Sequence, residues 1–153
     1  MRVALSRQGE GRVGIEKFQG VSMKCLIVDD EVFCREFVAT LLRATGDCHQ
    51  ASNGGQALEL YKRALADSDP YDVIIMDIMM PGMSGHDAAK AIRAFEKEQK
   101  IDKRVNIVML TALNSANDAM DSFCNAQSAA YLVKPVSKTG LFNVMSKLGV
   151  LRA

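Results

Sequence analysis

The chain has 153 residues, 48% apolar and 24% charged, the composition of one globular domain rather than of a disordered or fibrous chain. A domain of this size buries roughly 70% of its unfolded surface and needs no disulfide or zinc staple. A formal net charge of +1 gives no basic field for gripping nucleic acid or an anionic membrane, so neither direct DNA binding nor membrane insertion is expected.

Residues 1–22 differ in texture from the rest. Arg2, Arg7, Arg12 and Lys17 outweigh Glu10 and Glu16, and Gly9, Gly11, Gly14 and Gly20 prevent a regular element. This stretch reads as a flexible extension, or as translation from an upstream start. Gly9 to Gly14 fit G-x-G-x-x-G letter for letter. A dinucleotide site needs that pattern between a buried strand and a helix, and neither flank qualifies, so the match is read as chance.

From Met23 onward the pattern is regular. Apolar runs at 25–28, 73–76, 107–110 and 130–133 have the length of buried strands, and a weaker run around 49–52 makes a fifth. The segments between them have helical spacing. Phe33, Phe37 and Leu41, with Val38 and Leu42 alongside, form one apolar stripe. Ala57, Leu58, Tyr61 and Leu65 form a second, and Ala88, Ala91, Ile92 and Phe95 a third. Residues 115–125 supply a fourth helix, and 138–148, with Leu141, Val144, Met145 and Leu148, a fifth. Strands alternating with helices predict a parallel sheet covered on both faces. The domain is placed at 23–153.

Cys25, Cys34, Cys48 and Cys124 form no C-x-x-C pair and have no histidine at ligand spacing, which predicts a reduced, cytoplasmic protein. No apolar run approaches the ~20 residues of a membrane span, and no signal-peptide core is present at the N-terminus.

The candidate chemistry is positional. Asp29 and Asp30 follow the first strand, Asp77 follows 73–76, Thr111 follows 107–110 and Lys134 follows 130–133. All fall at carboxyl ends of parallel strands, where open α/β sheets place their ligands. Taken singly, the aspartates are helix caps or turn residues, Thr111 a capping hydroxyl and Lys134 a surface lysine. Together, three carboxylates in one crevice repel one another, and a divalent cation plus an ammonium resolves the conflict. An all-oxygen ligand set selects Mg²⁺, or Mn²⁺, over zinc or copper. Met76, Met79, Met80 and Met83 suggest core packing before a soft-metal site. A haloacid-dehalogenase-type phosphatase would need Asp-x-Asp, and residue 79 is Met.

The segments CLIVDDE (25–31), VIIMDIMMPGMSG (73–85), VMLTA (108–112) and AYLVKP (130–135) resemble receiver domains of two-component response regulators, of the stand-alone, chemotaxis-regulator kind. The resemblance runs from Lys24 to about Leu148. It implies a flavodoxin-like doubly wound α/β fold, with five parallel strands in the order 2-1-3-4-5 and helices on both faces. It also assigns roles. Asp77 is implied as the phosphoacceptor for a sensor histidine kinase or histidine phosphotransfer protein. Mg²⁺ is implied at Asp30 and Asp77, at Asp29 through water, and at the backbone carbonyl of Met79. Thr111, the Ala112 amide and Lys134 are implied around the phosphoryl oxygens, and Lys134–Pro135 as a cis peptide. Thr111 and Tyr131 are implied as the switch, read out by a downstream protein at the face of helix 115–125, strand 130–133 and helix 138–148. The chain then acts as a switch that catalyses its own phosphorylation and dephosphorylation rather than as a turnover enzyme. A phosphorelay intermediate and a phosphorylation-independent binding module of the same fold remain as alternatives. Met79 and Leu113, where fast-resetting members commonly carry polar groups, imply a long-lived phosphorylated state.

Overall fold

The computed structural model describes residues 22–112 and 130–151. The expected extension, apart from Ser22, lies outside the described residues. So do the G-x-G-x-x-G stretch, Leu113, Cys124 and the expected helix over 115–125.

Five parallel strands, β1 (Met23–Val28), β2 (Gly46–Ala51), β3 (Val73–Asp77), β4 (Asn106–Thr111) and β5 (Ala130–Val133), form one sheet in the order β2-β1-β3-β4-β5. The helices are α1 (Val32–Leu42), α2 (Gly54–Ala66), α3 (Gly85–Glu98) and α4 (Lys138–Lys147). The weak run expected around 49–52 lies mostly in β2, which starts earlier, at Gly46. A side chain at Gly46 would collide with the Met23 backbone, so the close approach of β2 to β1 needs glycine there.

Strand alternation divides the core into two layers. Leu26 and Val28 of β1 join Ile74, Met76, Ile107 and Met109 under α2 and α3, where Ala57, Tyr61, Ala88 and Ile92 complete one layer. Cys25 and Ile27 join Val73, Ile75, Val108 and Leu110 on the opposite face, against Val38 and Leu42 of α1 and Leu141 and Met145 of α4. Every residue of β3 is buried, as a central strand covered on both faces requires.

The stripe expected on α1 is only partly the one that packs. Val38 and Leu42 are buried, whereas Phe33 is 80% and Phe37 43% exposed. The methionines divide likewise: Met76 and Met80 are core, while Met79 and Met83 reach solvent beyond the end of β3. No helix among the described residues is long and apolar enough to cross a membrane.

Candidate functional site

Parallel strands deliver their last residues to one rim. β1 and β3 are neighbours there, and the chain leaves them in opposite directions, toward β2 and toward β4, which opens a crevice between their ends. Asp77 is the last residue of β3, Thr111 the last of β4, and Asp29 and Lys134 are the first residues past β1 and β5. The loop after Asp77 is tied down by Ile78 N–H donating to the Leu110 carbonyl at 3.1 Å and Gly85 N–H donating to the Ile78 carbonyl at 2.8 Å. Any side chain at Gly85 would strike the Asp77 carbonyl, so the start of α3 can press against the rim only with glycine there.

Asp29, Asp77 and Thr111 are buried, and Asp30 is exposed. One carboxylate oxygen from each of Asp29, Asp30 and Asp77 lies within 4.8 Å of the others. Lys134 Nζ donates to Asp29 Oδ2 at 3.0 Å and lies 3.1 Å from Asp77 Oδ1. The Lys134 backbone N–H donates to the Thr111 carbonyl at 2.7 Å, and the Lys134–Pro135 peptide is cis. Five residues expected at the site from their strand-end positions are thus gathered at one rim, with Lys134 bridging two carboxylates. Met79 lies on the loop after Asp77 with its side chain 72% exposed.

The capping alternative fails for both aspartates of the pair. Glu31 occupies the N-cap of α1 and makes no side-chain cap. Asp29 Oδ1 accepts from the Glu31 N–H at 3.0 Å, one residue ahead of the helix, which leaves its other oxygen for Lys134.

Burial raises the pKa of Asp77 above its ordinary value, the Asp29 charge adds to the rise, and Lys134 opposes it. Burial alone would lower Lys134, but the hydrogen bond to Asp29 and the Asp77 charge outweigh it and hold the ammonium above its ordinary range. The crevice therefore concentrates negative charge that one lysine only partly offsets. Carboxylate oxygens at this spacing fit a small hard cation better than a soft one.

Residues 25–146 match the response regulator receiver domain family. The chain belongs to that family. It is 32% identical over 126 residues to the chemotaxis protein CheY of Bacillus subtilis, covering 81% of this chain and 95% of that one. It is also 32% identical over 145 residues to hybrid signal transduction histidine kinase I of Dictyostelium discoideum, covering 93% of this chain but only 8% of the kinase. Among solved structures it resembles the receiver domain of the Saccharomyces cerevisiae response regulator Ssk1, co-crystallised with the histidine phosphotransfer signaling protein Ypd1. That likeness has 31% identity and a TM-score of 0.74, covering 84% of this chain and 89% of that one. The fold, its strand order and membership in two-component signalling follow.

Within this receiver domain, Arg35 beside the site carried no signal in the sequence. Arg35 Nη1 donates to the Asp29 carbonyl at 2.7 Å and its Nε donates to Gln50 Oε1 at 3.1 Å, fixing the backbone of the acidic pair. An arginine one turn into a helix looks like any solvated residue until the fold sets it beside Asp29. A cavity of about 450 Å³ beside Lys134 is lined by Phe33, Phe37, Val38, Pro135 and Val136. Tyr131 is half-buried against the layer under α2 and α3.

Proposed function

We propose that this receiver takes a phosphoryl group from a phosphohistidine onto Asp77 and thereby switches its binding to a downstream partner. The observation that carries this reading is the Asp77 carboxylate, buried at the rim beside Asp29, with the Lys134 ammonium 3.1 Å away. An Asp77 oxygen attacks phosphorus, the P–N bond breaks, and its electron pair returns to the donor's imidazole, leaving an aspartyl phosphate. Asp77 is positioned by β3 and by the tethered loop behind it, so the attack is from a fixed carboxylate. Lys134 neutralises charge on the transferred oxygens, and Thr111 with the Ala112 amide takes another of them. Asp29, Asp30, Asp77 and the Met79 carbonyl would hold Mg²⁺, or Mn²⁺, which supplies the remaining charge neutralisation.

The donor would be a sensor histidine kinase or a histidine phosphotransfer protein. Either must bring its histidine within bonding distance of Asp77, so its surface must cover the rim beside α1. The exposed Phe33 and Phe37 and the cavity that continues to Lys134 give such a partner apolar surface to bury. Contact between the new phosphoryl group and Thr111 would then bias the position of Tyr131.

Phosphorylation assays test this reading. Acetyl phosphate with Mg²⁺ should add one phosphoryl group to the chain, detected by intact mass, and should add none in Asp77→Asn or after chelation. Transfer from phosphorylated histidine phosphotransfer domains should slow by about tenfold or more in Phe33→Ser, while labelling by acetyl phosphate is unchanged. Beryllofluoride with Mg²⁺ should shift the Tyr131 ring resonances. A wild-type chain that accepts no label would instead be a binding module of receiver fold.

A further inference from the structure

We propose that Cys25 and Cys48 form a reversible intrachain disulfide across the edge of the sheet, making this pair an oxidation site of the receiver. The two residues are direct register partners on the parallel strands β1 and β2. Their side chains point to the same face, since Cys25 is core of the layer under α1 and α4 and Cys48 packs against that layer. Neighbouring strands lie about 4.8 Å apart, inside the Cα separation of roughly 4.4–6.8 Å that a disulfide spans.

The environments of the two sulfurs are unequal in the way such a reaction needs. Cys25 is fully buried on β1, between β2 and β3. Cys48 is half-buried on β2, whose other side has no strand neighbour among the described residues, so a small oxidant reaches it first. The neighbouring Cys48 thiol, with burial behind it, pushes Cys25 up, and the neighbouring Cys25 thiol pulls Cys48 down, leaving Cys48 the better nucleophile. Cys34 differs: its thiol donates to Glu31 Oε1 at 3.2 Å, and burial together with that carboxylate holds it in the protonated form.

With a peroxide as oxidant the chemistry balances. The Cys48 thiolate attacks one peroxide oxygen, the O–O bond breaks, and the departing hydroxide is protonated to water, leaving a sulfenic acid. The Cys25 sulfur then attacks the Cys48 sulfur as it loses its proton. The S–O bond breaks, the hydroxyl takes that proton and leaves as a second water, and the S–S bond remains. Two thiols are oxidised and one peroxide is reduced to two waters. A dithiol reductant reverses the step by exchange.

The test oxidises the purified full chain with hydrogen peroxide, quenches in acid, denatures, and alkylates free thiols before peptide mapping. We expect the Cys25 and Cys48 peptides joined and lighter by two hydrogens, released by dithiothreitol, with Cys34 still alkylated. In Cys25→Ala, Cys48 should stop at the sulfenic acid and be trapped by dimedone. Both Cys25 and Cys48 remaining alkylated after oxidation would overturn the assignment. So would Cys48 joined to Cys34, to Cys124 or to a second chain. A cross-link that forms only in samples whose far-ultraviolet circular dichroism has been lost would overturn it too.

Discussion

At the scale of single residues, the site separates roles that the sequence places side by side. Asp29 and Asp30 are neighbours, yet one is buried under Lys134 and the other faces solvent at the rim. We propose that Met79 prolongs the life of the phosphoryl group, since its exposed thioether neither donates nor usefully accepts a hydrogen bond to orient an attacking water. In the sequence, Leu113 stands two residues after Thr111, as Met79 stands two after Asp77. Lacking a water-orienting group slows hydrolysis by roughly 10- to 100-fold, or up to about 2.7 kcal/mol of extra barrier. The aspartyl phosphate should therefore last minutes to hours. Loss of radiolabel from purified protein in Mg²⁺ buffer measures this. Met79→Asn combined with Leu113→Glu should shorten the half-life, and a wild-type half-life of a few seconds would refute the shielding.

At the scale of elements, α3 is joined to its neighbours by a buried carboxylate as well as by its apolar stripe. Glu96 follows Ile92 by one helical turn and is as deeply buried. It accepts from Tyr61 Oη of α2 at 2.7 Å, from Arg93 Nη1 at 2.8 Å and from the Val105 N–H ahead of β4 at 2.8 Å. One side chain thus sets α2, α3 and the entry to β4 relative to one another, and β4 ends in Thr111. Removing the carboxylate strands buried donors, so Glu96→Ala should lose roughly 3–5 kcal/mol of stability. Tyr61→Phe, which removes one donor and leaves Glu96 its other partners, should lose only about 1–1.5 kcal/mol. Urea denaturation measures both, and equal losses would show that the carboxylate is not the hub.

At the scale of the whole molecule, four strand ends share one electrostatic problem, and global stability should report it. Asp77 binds its proton more tightly in the fold than in the unfolded chain, chiefly through burial. Its contribution is therefore full below the ordinary value of 3.8 and is lost as pH rises through the higher folded value. Lys134 also has a raised folded pKa, so its contribution is present below 10.5 and is lost as pH climbs through the folded value. In metal-free buffer at neutral pH, Asp77→Asn should accordingly melt higher than the wild type, and the gap should close as pH falls toward 3.8. Mg²⁺ at a hundred times its Kd should stabilise the wild type by about 2.7 kcal/mol and the variant far less. Thermal melts across pH, with and without Mg²⁺, check both signs. A wild type more stable than Asp77→Asn without metal would contradict the charge balance.

The order of strands and helices, and the fall of Asp29, Asp77, Thr111 and Lys134 at strand ends, were legible in the sequence. Both depend on local periodicity, and in a parallel sheet a residue that ends a strand must emerge at the same rim as every other. The lateral arrangement was not legible. Lys134 meets Asp29 across 105 positions of chain, and Cys25 meets Cys48 only because β2 pairs with β1 at that register. Periodicity also placed Phe33 and Phe37 on the apolar side of α1 without showing that they stay exposed. Nothing in the local spacing of Glu96 marks it as buried; its partners come from α2 and from the approach to β4. A side chain's spacing along its own element fixes which way it points, but what it meets there depends on which distant element the hydrophobic layers bring alongside.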